Sequence, residues 1–205
     1  MDMQRHWSNV YQQKESTSVS WYQDRPVLSL ELIQRTEIKP DDAIIDVGAG
    51  ASTLVDHLYG LNYRNITLLD ISEESLNIAR ERIGDKHDAA IQWIAGDITR
   101  LELPQHAYDV WHDRAVFHFL TDPEMRDRYV AQVKHALKPG GHVIMATFAP
   151  DGPTQCSGLD VARYDPNTMQ HVFGDAFKLV YSTSEQHKTP WAAEQSFIYC
   201  YCRMS

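Results

Sequence analysis

Asp46, Asp70 and Asp97 are the residues best placed for chemistry. Each closes an apolar run, in "AIIDVG", "ITLLD" and "IAGD", and the first leads into Asp46-Val47-Gly48-Ala49-Gly50. Glycines after a strand let a ligand approach the backbone without interference from a Cβ, and they present free amides. Singly, each acid has an ordinary structural explanation, because strand-end acids often cap helices or face water. Three at successive strand ends, with glycines at the first, point to a ligand built around a nucleoside. Asp70 would accept hydrogen bonds from ribose hydroxyls, and Asp97 from an adenine amino group with Ile98 against the ring.

These acids need parallel strands to bring them together. "HWSNVYQQK" spaces Trp7, Val10 and Tyr11 on one helical face. "STSVSWYQDRP" reads as a loop, and Pro26 suits the first turn of a helix running to about Thr36. After Lys39-Pro40-Asp41 comes the strand "DDAIIDVG", then a helix "STLVDHLYG" capped by Ser52 or Thr53 and closed by Gly60. The unit recurs as strand "NITLLDIS", helix "EESLNIARERIG" and strand "AIQWIAGD", then "YDVWHDR", "PEMRDRYVAQVKHALK" and "GHVIMATF". "APDGPTQCSGLDVARYDP" has the texture of a long functional loop. "FKLVYSTSEQ" and "AEQSFIYCYCR" form a hairpin signal around "HKTPWA". The expectation is an α/β, Rossmann-like sheet of seven strands, mostly parallel, in order 3-2-1-4-5-7-6. Its last strand is antiparallel, and helices cover both faces. A ligand would sit at the switch point beside Gly48.

A dinucleotide fingerprint, G-x-G-x-x-G, would place its third glycine at position 53, which is Thr53. The acid-x-G-x-G pattern instead suits S-adenosylmethionine (AdoMet), which has an amino-acid tail and a sulfonium but no pyrophosphate. In order and spacing, "DVGAGAST", "LLDIS", "AGDIT", "YDVWHDRAVFHFL" and "LKPGGHVIMATF" resemble the successive motifs of class I AdoMet-dependent methyltransferases over essentially the whole chain. The resemblance implies AdoMet as cofactor, held by Asp46, Gly48, Gly50, Asp70, Ile71, Asp97 and Ile98. Ser52, where many members carry glycine, Ser72 and His112 complete that set. The chain also resembles small bacterial members with "VSWYQ" near the start and "TFAPDGP…CSGL…RY" after the fifth strand; Asp160 stands where they often have Pro. The implied organisation is a single methyltransferase domain over 1–205. It has a helical lid at 1–36, a substrate-side loop at 149–165 and a C-terminal β-hairpin at 176–203. In similar proteins the first segment folds over the cofactor. Tyr11 would then meet the methionine carboxylate, with Trp21 beside it, while Trp7 fastens the helix to the core.

Methyl transfer is an in-line displacement at carbon, so the protein must align the nucleophile, exclude water and, where needed, remove a proton. "WHDRAVFHFL" offers Asp113 to orient or deprotonate an acceptor, Arg114 beside it, and His118, one helical turn beyond Arg114, as a base. The plain alternative is that Asp113 and Arg114 organise the turn and His118 lies on a helix surface. Tyr22, Phe117, Cys156 and Arg163 are the acceptor-side candidates, Arg163 for an anionic group or for a salt bridge within its own loop. Cys200 and Cys202 alternate on a strand and face one way, into packing. A three-thiolate metalloid site would need both beside Cys156, and no C-x-x-C spacing occurs, so no metal is expected.

The formal charge of −9 and the absence of basic runs argue against a nucleic-acid partner. No apolar stretch is long enough for a signal peptide or a span, so a cytoplasmic protein with no membrane partner is expected, as monomer or homodimer. The leading function is methyl transfer to a small-molecule acceptor, a thiol or other soft nucleophile. The second is a protein lysine methyltransferase: "HDRAVFHFL" resembles a "D-K-G-T-[aromatic]-D" stretch, with Asp113, Arg114 and Phe117 aligned and His118 in place of an acid. The third is a non-enzymatic AdoMet-binding module.

Overall fold

The computed structural model describes residues 2–84 and 91–205; Met1 and Ala90, expected in the lid and in the third strand, lie outside the described residues. Helix α1 (Met3–Gln13) is followed by α2 (Val27–Arg35). Then come β1 (Ile44–Val47), α3 (Leu54–Gly60), β2 (Ile66–Asp70), α4 (Glu73–Ile83), β3 (Ile91–Ala95) and β4 (Tyr108–Arg114). After α5 (Pro123–Ala136) and β5 (Leu137–Phe148) the chain forms a small ribbon, β6 (Gln155–Cys156) and β7 (Leu159–Asp160), then α6 (Pro166–Phe173). The long strands β8 (Phe177–Lys188) and β9 (Glu194–Met204) end the fold.

Every residue of β1 and β2 is buried, as in a sheet covered on both faces. Alternate side chains enter opposite cores. Ile45 and Val47 join Tyr129, Val133 and Phe173 of α5 and α6, whereas Ile44 joins Ile33, Leu54 and Leu76 of α2, α3 and α4. The seven-stranded sheet has the order β3-β2-β1-β4-β5-β9-β8. Strands β1 to β5 pair in parallel; β9 runs antiparallel between β5 and β8, with Val143 opposite Cys202. This is the expected order, the final strand inserted beside the fifth. Among the described residues no helix is long and apolar enough to cross a membrane.

Two local expectations need correction. The span between Arg114 and His118 is not a helical turn. Strand β4 continues through Arg114, Ala115 takes φ +70°, and only Phe117–Phe119 form a short 3-10 turn. The reason is Asp113, whose carboxylate accepts from the N–H groups of Val116 (3.0 Å) and Phe117 (3.2 Å) and folds the backbone back over the strand end. The second concerns the stretch between the 149–165 loop and the hairpin, which forms a helix, α6, directly after the loop. Asp165 caps it, accepting from Thr168 N–H at 2.8 Å, with Pro166 in its first turn and Met169 and Phe173 buried.

Asp113 also accepts from the hydroxyl of Tyr129 at 2.5 Å, and Tyr129 in turn accepts from the Trp111 indole at 2.9 Å. All of these residues but Val116 are buried. Removing the carboxylate leaves two backbone donors and a phenol without their acceptor. Asp113→Ala is therefore expected to cost roughly 2–4 kcal/mol of stability, read as a lowered urea midpoint with an unchanged slope.

Candidate active site

The carboxyl ends of β1 to β4 open into one cleft with two lobes. The larger, about 870 Å³, runs along the ends of β1, β2, β3 and β4 and is roofed by Met3, Trp7 and Tyr11 of α1 with Trp21. The smaller, about 550 Å³, lies toward α2 and is lined by Tyr22, Ser29, Asp46, Ser52 and His112 among others. Tyr11, Trp21, Gly48 and Arg114 border both.

The β1 turn makes this cleft possible. Gly48 has φ +70°, and a Cβ there would lie 1.8 Å from Val116 Cγ2, so β1 and β4 interlock only through glycine. At Gly50, φ +51°, a Cβ would lie 2.5 Å from the Tyr11 hydroxyl, which rests over the loop. Tyr11 is held there by α1, whose Ser8 and Gln12 donate to Glu74 of α4 at 2.5 and 3.3 Å. Trp7 meets Trp21 and Phe119 edge-on, at 5.6 and 5.0 Å between ring centroids. Burial and the neighbouring Asp70 push the Tyr11 phenol well above its ordinary value.

Asp46 and His112 are register partners on β1 and β4, so their side chains meet on one face. His112 Nδ1 donates to Asp46 at 2.6 Å, and His112 Nε2 lies 2.9 Å from the hydroxyl of Ser29 on α2. Asp70 accepts from Ser72 N–H at 2.8 Å, and burial raises its carboxyl from 3.8 to about 6. Ser72 itself caps α4 and is fully buried; it touches the cleft only through Asp70. Asp97 accepts from the amide and hydroxyl of Thr99, at 2.9 and 2.7 Å, and still lines the larger lobe beside Ile71 and Ile98.

Arg114 is the charged group on the other side of β1. Its Nε donates to Tyr199 at 2.9 Å, Nη1 to the Trp21 carbonyl at 3.0 Å and Nη2 to Glu185 at 3.4 Å. Cys156 borders the larger lobe, its thiol pushed up by burial. Several candidates fall elsewhere. Asp113 and Phe117 are fully buried behind the cleft, the latter against Tyr129 and Tyr164. His118 is not on a helix surface. It is fully buried against Phe119 and Phe148, its Nδ1 accepts from Phe148 N–H at 3.4 Å, and its Nε2 has no partner among the described residues. Burial, with Arg114 nearby, lowers it to about 3. Arg163 borders neither lobe; it donates to the carbonyls of Pro150 and Gly152, closing its own loop. Cys200 and Cys202 belong to one core and Cys156 to the other, so the three thiols do not converge.

Sequence reasoning missed Ser29, Glu185 and Tyr199, which reach the site from α2, β8 and β9, and Val116, Phe119 and Met125, which finish the larger lobe. Only Phe119 carried a signal, as an aromatic within "HDRAVFHFL".

Against that geometry stand the relatives. The family described as "Methyltransferase domain" matches residues 44–141. The chain is 30% identical over 150 residues to the mouse "eEF1A lysine and N-terminal methyltransferase", covering 70% of this chain and 21% of that protein. It is 34% identical over 113 residues to a malonyl-[acyl-carrier protein] O-methyltransferase of Halalkalibacterium halodurans, covering 53% and 40% respectively. It thus spans about a fifth of the length of the first curated relatives, 21% of each. A solved methyltransferase from Anabaena variabilis has the same fold, with a TM-score of 0.77 at 13% identity over 100% of this chain and 96% of that one. Sheet order and the matched region agree: residues 44–141 match the methyltransferase-domain family, and the chain has the fold of the class I AdoMet-dependent methyltransferases.

His118 provides a test of this packing. Held neutral to about pH 3 when folded and free to protonate at 6.5 when unfolded, it binds fewer protons in the native state between those values. Stability should therefore fall as pH drops through that window, by about 2 kcal/mol at pH 5. Asp70 and Asp113, both raised to about 6, act with the opposite sign. They are common to wild type and His118→Gln, so the difference between the two proteins in urea unfolding isolates the imidazole.

Proposed function

We propose that the chain transfers the methyl group of AdoMet to a small molecule through a soft nucleophile such as a thiol. One observation carries this reading: beyond the strand-end acids the larger lobe ends in an aromatic chamber of Trp7, Trp21 and Phe119, under α1, with Arg114 as its cation. The cleft residues suit the cofactor. Asp70 offers a buried acceptor for ribose hydroxyls, Asp97 and Ile98 an edge and a face for adenine, and the Gly48–Gly50 turn backbone that lines both lobes. Asp46, steadied by His112, would take the ammonium of the amino-acid tail, with Tyr11, Ser52 and the loop amides beside it. Bound AdoMet supplies a methyl group already activated by its sulfonium. What remains for the protein is to orient the acceptor and to exclude water. Residues 2–36 would serve as the lid and 149–165 as the loop that presents Cys156. In this reading Asp113, Phe117 and His118 act by shaping the end of β4 rather than by touching the acceptor.

Protein lysine methylation is the second reading, favoured by the mouse relative's name. Against it, the chamber presents Arg114 where a lysine would need a carboxylate, and α1 covers it. A binding module without turnover is the third.

The deciding experiment incubates purified protein with labelled AdoMet and a panel of small thiols, amines and lysine peptides, with products identified by mass spectrometry. Methyl thioethers are expected. A panel in which no thiol is methylated above the rate without enzyme overturns the reading, and methylated lysine replaces it. For the cofactor, Asp70→Ala should weaken S-adenosylhomocysteine binding by about 1–3 kcal/mol by calorimetry. Because ribose hydroxyls favour the ionised carboxylate, wild-type affinity should fall as pH drops through about 6. In Asp70→Asn that dependence should flatten.

A further inference from the structure

Among the described residues that line the acceptor end of the cleft, no side chain is suited to remove a proton at neutral pH; Glu185 borders neither lobe and is paired with Arg114. Asp113 is enclosed by its three donors and borders neither lobe. His118 is sealed behind Phe119 and Phe148, with Nδ1 already accepting. Cys156 does face the larger lobe, but its buried thiol stays protonated. Tyr11 is likewise kept neutral by burial beside Asp70. Asp70 and Asp97 lie at the ends of β2 and β3, across β1 from β4. In the smaller lobe, Asp46 and His112 are closed on each other at 2.6 Å.

What the end of β4 does present is a cation. Arg114 borders both lobes, and its bonds to Tyr199, Trp21 and Glu185 leave one N–H on each terminal nitrogen uncommitted. Glu185 pairs with it at 3.4 Å and also receives a hydrogen bond from Gln23 at 2.9 Å, so the guanidinium is pinned rather than free to swing away.

Building on the methyltransferase reading, we propose that the acceptor enters as a preformed anion, a thiolate that has left its proton in water, and that Arg114 selects it by charge. The thiolate lone pair forms the new sulfur–carbon bond while the carbon–sulfonium bond breaks and its electron pair stays on the departing sulfur. Two charges are neutralised and no proton is exchanged with the protein. An amine arriving as ammonium has no base to release its lone pair and meets a like charge at Arg114.

The test uses thiophenols of graded acidity as acceptors. The pH midpoint of kcat/KM should move with each thiol's own pKa. A midpoint that stays fixed across the series while transfer proceeds reveals a protein base; it overturns this inference and leaves the thiol reading standing. Absence of transfer to every thiol, with S-adenosylhomocysteine still bound, overturns both. Arg114→Gln should raise thiolate KM about tenfold or more while changing the S-adenosylhomocysteine Kd less than about twofold. Lost S-adenosylhomocysteine affinity with unchanged thiolate KM would assign the guanidinium to the carboxylate of the amino-acid tail, and the proposal fails. Should Arg114→Gln not fold, Glu185→Gln removes the counter-charge and should lower thiolate KM; an unchanged or raised KM counts against the proposal. Independently of turnover, tryptophan fluorescence of the S-adenosylhomocysteine complex should report tighter binding of benzenesulfonate than of neutral benzyl alcohol. Equal binding, or the reverse order, refutes the charge selection.

Discussion

A guanidinium at the end of a nearly buried strand is tolerable only if its charge and its donors are answered, since desolvating an ion costs several kcal/mol. Arg114 is answered by three distant parts of the chain: the Trp21 carbonyl, Glu185 on β8 and Tyr199 on β9. That requirement ties the segment before α2 and the C-terminal hairpin to the mouth of the parallel sheet. The hairpin is therefore a wall of the site as well as an edge of the sheet. Because Trp21 is held by its carbonyl, its ring can stand against Trp7 and Tyr11 and complete the roof.

The strand-end acids of the cleft rest on a different economy of polar groups. Asp46 is met by an imidazole, Asp70 by a helix-capping amide and Asp97 by its own turn. Each acid is oriented from behind, so its open side faces the lobe. At Asp70 burial outweighs the donors that reach it, which is why its carboxyl is raised to about 6.

Burial separated two kinds of residue that the same short stretch, "WHDRAVFHFL", had placed side by side. In a strand, neighbouring side chains point to opposite faces, so Asp113 turned into the core shared with Tyr129 while His112 and Arg114 turned toward the cleft. After Ala115 the backbone left the strand, and Phe117 and His118 went inward. Chemical type alone made Asp113 and His118 attractive as acid and base. Their environments gave them structural partners instead.

The sheet and the acids along its carboxyl edge were legible because both follow from local pattern. Apolar runs ending in Asp46, Asp70 and Asp97 set the strands, and a right-handed parallel crossover leaves few ways to arrange them. The capped α6 carried a readable signal as well, in Asp165-Pro166 and the spacing of Met169 and Phe173. What sequence by itself determined, then, was the fold, the β1 turn and the acids along its edge, because period, glycine and strand end are properties of neighbouring residues. Tertiary structure alone decided which side chains of the β4 turn face the cleft, that Arg163 serves its own loop, and that Glu185 and Tyr199 hold Arg114 at the cleft. Those facts depend on burial and on contacts between residues such as Arg114 and Tyr199, far apart along the chain, which no local pattern encodes.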